Sequence, residues 1–92
     1  MDKEERIAVR ATGLIERDLG DAVVVMAGTG EELHTFQGSG LLLWKRIDGT
    51  TDIRGLVLAL MDEYEVDEPR AAADSLAFVD TLLAKGLVTL KG

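Results

Sequence analysis

Hydrophobic and polar positions alternate along the front of the chain, and the period changes after residue 36. In "LIERDLGDAVVVM", Ile15, Arg17 and Leu19 share one side of an extended chain, and Leu14, Glu16 and Asp18 share the other. Gly20-Asp21 marks a turn. "AVVVM", residues 22 to 26, is rich in β-branched side chains and reads as a second strand. "AGTGEE" supplies two glycines for another reversal, and "ELHTF", residues 32 to 36, alternates again as a third strand. These segments predict a small three-stranded antiparallel sheet. The first dozen residues are charged and are expected to be a frayed, flexible stretch, with Ile7 and Val9 adding a few edge contacts. The single domain is then expected over residues 13 to 92.

From residue 37 the apolar spacing becomes helical. "QGSGLLLWKRI" places Leu43, Trp44 and Ile47 on one face with Gly40 a turn below. Ser39 is the expected N-cap, and Asp48-Gly49 the stop. Thr50 or Thr51 is expected to cap a second helix, whose apolar face is Ile53, Leu56, Val57, Leu60 and Met61 and which ends near Tyr64; Asp52 falls in its first turn. A third helix is capped by Asp67 or Glu68, carries Pro69 in its first turn, and ends at Lys85-Gly86. Ala72, Leu76, Val79 and Leu83 form its expected stripe, with Ser75, Phe78 and Leu82 alongside. "LVTL" reads as a short strand or wing. The order is β-β-β-α-α-α plus a tail, an α+β arrangement.

Composition narrows the chemistry. The chain has 92 residues, 47% of them hydrophobic, which suffices for one core. Ten basic residues against 17 acidic ones give a net charge of −7. That balance argues against nucleic acid and against an anionic membrane as partners. There is no cysteine, so disulfides, thiol catalysis and cysteine-ligated zinc are excluded, and a reducing cytoplasm is compatible. No apolar run is long enough to span a bilayer, and "MDKEERIAVR" has no signal-peptide core.

The residues that invite a chemical reading have plainer ones beside them. Trp44 lies on the buried face of a short helix and is read as packing against the other two helices; the alternative is a ring offered to a ligand. Burying such a side chain is worth roughly 1.5–3 kcal/mol, a large share of a small domain's stability. His34 is the one histidine, with no matched ligand set for a metal and no nucleophile for catalysis. "GTGEE" fits neither common phosphate-loop spacing, and "DEYEVDE" lacks the calcium-loop spacing. "DSLAFVDTLL" resembles the "DSL" segment of acyl carrier proteins, whose serine bears a pantetheine arm at the start of a helix. Here Ser75 falls inside a helix beginning near Pro69, and only 17 residues follow it.

Over residues 33 to 90 the ordered pieces "FQGSG", "LLWKRIDG", "TTDIRGLVLALMDEY" and "DSLAFVDTLLAKGLV" resemble the PqqD family, which includes the recognition elements for precursors of ribosomally made, modified peptides. Gly40, Trp44, Asp48, Gly49, Thr51, Ile53, Tyr64, Asp74, Phe78, Leu82, Gly86 and Leu87 fall at the matching places. Gln37 stands where the family often has Asn, and Ser75 where Val is usual. The resemblance implies a winged-helix-like fold that is not itself an enzyme and needs no cofactor. It implies a cytoplasmic, chaperone-like role: holding the leader region of a precursor peptide and presenting it to a radical SAM enzyme or to a lasso-type peptidase and cyclase. It also implies that the peptide adds to the sheet along Leu33, His34, Thr35 and Phe36 and crosses the third helix near Ser75, Phe78, Val79 and Leu82. Leu33 and Thr35 share one face of that strand, His34 and Phe36 the other. Phe36, Phe78 and Leu82 are also core candidates. The rival reading is a winged-helix transcription regulator with Pro69 to Lys85 as recognition helix, though Asp74 and Asp80 stand on it beside Arg70 and Lys85.

Overall fold

The computed structural model describes residues 3–27 and 32–91. A 3-10 turn, Lys3–Glu5, leads into β1 (Ile7–Arg10), β2 (Ile15–Asp18), β3 (Ala22–Met26) and β4 (Leu33–Gln37). Helices α1 (Gly38–Arg46), α2 (Ile53–Glu63) and α3 (Glu68–Ala84) follow, and β5 (Val88–Lys91) ends the chain. β2, β3 and β4 form the antiparallel sheet expected from alternation. The reversal expected in "AGTGEE" falls on residues 28–31, outside the described residues.

The N-terminal stretch departs from expectation. Residues 7–10, expected in a frayed end, pair antiparallel with β5, Ile7 opposite Lys91 and Arg10 opposite Val88. The Ile53 amide also donates to the Arg6 carbonyl at 2.9 Å. The reason is the tail: among the described residues β5 pairs with no other strand, and "IAVR" covers it. Ala8 is buried in the core as a result. The wing is therefore a two-stranded ribbon made by the two ends of the chain.

Helix boundaries follow capping chemistry, with two corrections. α1 is preceded by Gln37 in extended conformation and has no side-chain cap, so Ser39 lies inside the helix and does not cap it. The turn from strand to helix is made at Gly38, whose φ of 57° favours a residue without Cβ. α2 is capped by Asp52, whose carboxylate accepts from the Gly55 amide at 2.8 Å. Thr50 and Thr51 serve the preceding turn instead: their amides donate to Asp48 Oδ1 at 2.9 and 2.8 Å, and their hydroxyls to the same carboxylate. Those donors hold Asp48 well below the usual carboxylate range. α3 starts as expected, with Asp67 accepting from the Arg70 amide and Pro69 in the first turn.

One core lies between the sheet, the ribbon and the helices. Val23 and Val25 cluster with Leu43 and Trp44 of α1, Ile47 just past its end, Ile53, Leu56, Val57 and Leu60 of α2, and Ala71, Val79 and Leu82 of α3. The buried line of α3 runs Ala71, Ser75, Val79, Leu82. The expected stripe therefore rotates by about one residue: Ala72, Leu76 and Leu83 are only half-buried. Arg54 at the start of α2 ties Glu4 and Glu68 together at 3.2 and 3.1 Å.

Candidate functional site: an open strand edge beside an aromatic groove

β4 is an edge strand. Its register partners are all on β3: Met26 for Leu33, Val25 for His34, Val24 for Thr35, Val23 for Phe36 and Ala22 for Gln37. Among the described residues nothing pairs with its other side, and the N-terminus lies on β5 instead of roofing it. Half of the backbone donors and acceptors of an edge strand point outward, where a further strand can use them. Leu33, Thr35 and Gln37 are exposed on the outer face; His34 and Phe36 are half-buried on the inner one. His34 faces its neighbour Glu32, Nε2 to Oε2 3.3 Å.

Phe36 forms the wall beside this edge, and its position is set from behind. Its ring stacks on Trp44 with centroids 4.9 Å apart and meets Phe78 of α3 edge-on at 5.6 Å. Trp44 is itself fully buried, so the platform reading of that ring is excluded. Its indole N–H donates to Glu16 Oε1 on β2 at 2.7 Å, and the Arg10 guanidinium lies 4.4 Å from its ring centroid. Arg10 donates in turn to Glu16 Oε2 and to the Trp44 carbonyl, at 2.8 and 2.6 Å. Trp44 thus locks three strands to α1, and Phe36 leans on that lock. A Cβ at Gly40 would stand 3.5 Å from Phe78 Cε1 and 4.0 Å from Phe36 Cδ1, in ordinary contact with both rings.

Of the four α3 residues expected to contact a peptide, Phe78 alone is partly exposed, and it meets β4 through Phe36. Ser75, Val79 and Leu82 have at most 1% of their surface exposed. They face inward because α3 packs against α2 along that line. The surface flank of α3 is one residue round, through Asp74 and Phe78 at i, i+4 spacing. Past the end of β4 this flank borders an open cavity of about 630 Å³ lined by Gly38, Ser39, Leu60, Tyr64, Arg70 and Asp74 among others. Sequence reasoning missed this cavity; the break of strand into helix at Gly38 is the signal that marks its rim. The burial of Ser75 also removes the acyl-carrier reading, since a buried hydroxyl cannot bear a pantetheine arm. Its Oγ finds no hydrogen-bond partner among the described residues.

Among the described residues no three His, Cys, Asp or Glu side chains gather to hold a metal ion, and no helix is long and apolar enough to cross a membrane. The family profile described as coenzyme PQQ synthesis protein D (PqqD) matches residues 22–88, well over half the chain. The chain belongs to the PqqD family. No curated protein matches it. Two solved structures share its fold. TbiB1 in complex with the TbiA(beta) leader peptide is 21% identical with a TM-score of 0.81, over 87% of this chain and 93% of that one. Lasso peptide synthetase B1 complexed with the leader peptide is 20% identical with a TM-score of 0.80, over 89% of this chain and 96% of that one. At these identities the likeness shows the fold alone, a winged-helix-like α+β domain.

Proposed function

We propose that this PqqD-family domain captures the leader region of a ribosomally made precursor peptide as an added strand on β4 and presents it to a modifying enzyme. The observation that carries this reading is β4 itself: an edge with one side unpaired, running beside Phe36 and Phe78. The two solved relatives, each a complex with a leader peptide, support it. Backbone bonds to β4 supply register; each nets only about 1 kcal/mol, so selectivity has to come from side chains that enter the groove. His34, Phe36 and Phe78 line that groove, while Leu33 and Thr35 lie on the opposite face of the added strand. Ser75, Val79 and Leu82 act from underneath by fixing α3.

The role is non-catalytic. The partner enzyme, of the radical SAM or peptidase and cyclase kind, supplies the reaction, and the site of action is the cytoplasm. The net charge of −7 opposes the transcription-regulator reading and favours a leader or partner surface bearing Lys or Arg. An NMR titration of the labelled domain tests the proposal, using synthetic leaders from whatever precursor genes neighbour this one. Saturable shifts at residues 33–37 and at Phe78 are expected. Unchanged spectra in the presence of both leader and partner enzyme would remove the reading.

A further inference from the structure

Phe36, the wall of the groove, is the near end of a chain of ring contacts. Its ring lies 4.9 Å from the Trp44 ring at an interplanar angle of 19°. The Arg10 guanidinium lies 4.4 Å from the indole centroid. Contact therefore runs from Arg10 to Trp44 to Phe36. Arg10 belongs to β1, in the terminal ribbon and not in the sheet that holds β4. One planar cation from the other sheet backs the indole that backs the groove wall.

The indole is gripped in three ways. Arg10 covers its ring, Glu16 Oε1 accepts its N–H at 2.7 Å, and Arg10 Nη2 donates to the Trp44 carbonyl at 2.6 Å. Arg10 Nη1 then closes the circuit on Glu16 Oε2 at 2.8 Å. The side chains of Arg10 and Glu16 are only 32% and 33% exposed, so the pair gives up much of its hydration. Ion pairs that lose their water add little net stability. Arg10 Nε is moreover buried with no hydrogen-bond partner among the described residues, and an orphaned buried donor costs free energy. Stability alone gains nothing from that donor. What the circuit does secure is the orientation of the indole, and through the stack that of Phe36.

We propose that Arg10 is a positioning residue for leader binding: it acts through Trp44 to hold Phe36 in place beside the β4 edge before the peptide arrives. This rests on the leader-capture reading above. A strand added to β4 sets an inward side chain beside Phe36, with Cβ atoms about 4.5–5.5 Å apart. With the ring fixed beforehand, the leader meets a finished wall. A loose ring has to be ordered during binding, and that ordering subtracts from affinity. Arginine suits this post and lysine does not. The guanidinium is flat, lies against an aromatic ring and offers N–H groups in its plane to two acceptors at once; an ammonium is a point charge with no face.

The test measures leader affinity by calorimetric titration, with synthetic leaders from neighbouring precursor genes, and stability by urea unfolding of the same proteins. Wild-type binding comes first, and its failure identifies the capture reading as the fault. Arg10→Met keeps an unbranched apolar stem and is expected to weaken leader binding about fivefold. Arg10→Lys keeps the charge without the plane and is expected to weaken it similarly. Phe36→Leu removes the last ring of the chain. In that background Arg10→Met is expected to change leader affinity by less than twofold, although its effect on stability persists. Arg54→Met, which breaks the ion pairs to Glu4 and Glu68, is expected to leave leader affinity within twofold. The Phe36 ring protons, displaced by the indole ring current in the wild type, are expected to move toward unstructured values in Arg10→Met. Wild-type affinity in a folded Arg10→Met domain overturns the proposal. So does an equal loss in the Phe36→Leu background, which makes Arg10 a general structural residue. Should Arg10→Met fail to fold, Arg10→Lys decides by the same two comparisons.

Discussion

β2 and β4 both flank β3, yet one reads IERD and the other LHTFQ. Three of the four β2 side chains are charged, the usual protection of a free edge against unwanted pairing. Two are also tethered: Glu16 holds the Trp44 indole and Arg10, and Asp18 faces Lys45 at 3.7 Å. β4 has no such guard. Its one titratable side chain, His34, turns inward, and an aromatic wall runs beside it. The difference teaches that a sheet can direct a foreign chain to one margin by closing the other with charge. The two differ by only one residue in length; side-chain chemistry separates them.

That contrast can be broken at its foundation, at its open margin, or tuned from beneath. Trp44→Ala removes the lock on which both margins depend. A cost of about 3–5 kcal/mol is expected for a fully buried ring of this size, and against a typical total of 5–15 kcal/mol urea unfolding should show a large loss of stability. Phe78→Ala opens the groove wall while leaving the core line of α3 in place. Calorimetric titration with the leader should show a loss of about 2 kcal/mol, near thirtyfold in affinity. Thr35→Glu gives β4 the charged character of β2 at an exposed position. Leader affinity is expected to fall about tenfold, roughly 1.4 kcal/mol, with stability changed by less than about 0.5 kcal/mol. Ser75→Ala deletes a buried hydroxyl with no partner among the described residues. Thermal unfolding should report a gain of about 1 kcal/mol, with leader affinity unchanged. Any large effect of Ser75→Ala on binding would show that α3 presents a different flank from the one described.

Acid should act on the turn at Asp48. Its folded pKa lies below its unfolded value, so the stabilisation it provides is fully present above about pH 4 and is lost as pH falls toward the depressed value. Asp48→Asn is expected to make the acid limb of a stability-against-pH curve shallower, read by circular dichroism.

Much of this fold is legible in local pattern. Residues 22–26 are a strand because β-branched side chains crowd there, and Asp67 with Pro69 announces α3. The face of Trp44 follows from its spacing to Ile47. What escaped depends on partners distant in sequence. "IAVR" is too short to signal a strand alone, and its mate lies at the other end of the chain. Nothing local to Glu16 marks it as a tether; only the fold brings the indole and Arg10 to it. The α3 phase was misjudged by one residue because Ser75, a polar side chain, occupies a core position. Of the proposed site, the strand at 32–36 was legible in its alternation, and its use as a binding edge and Phe78 came through the family resemblance, while the cavity past Gly38 required the strand, α2 and α3 to be assembled.

The β1–β5 ribbon has a topological consequence. Ile7 and Lys91 are antiparallel neighbours, about 5 Å apart between Cα atoms, and they lie in a different sheet from β4. A short linker between them would yield a circular permutant, and a tether or reporter grafted onto either terminus would leave from the same corner. An enzyme carrying this domain by either end would hold it by the same handle, with its receiving margin still free.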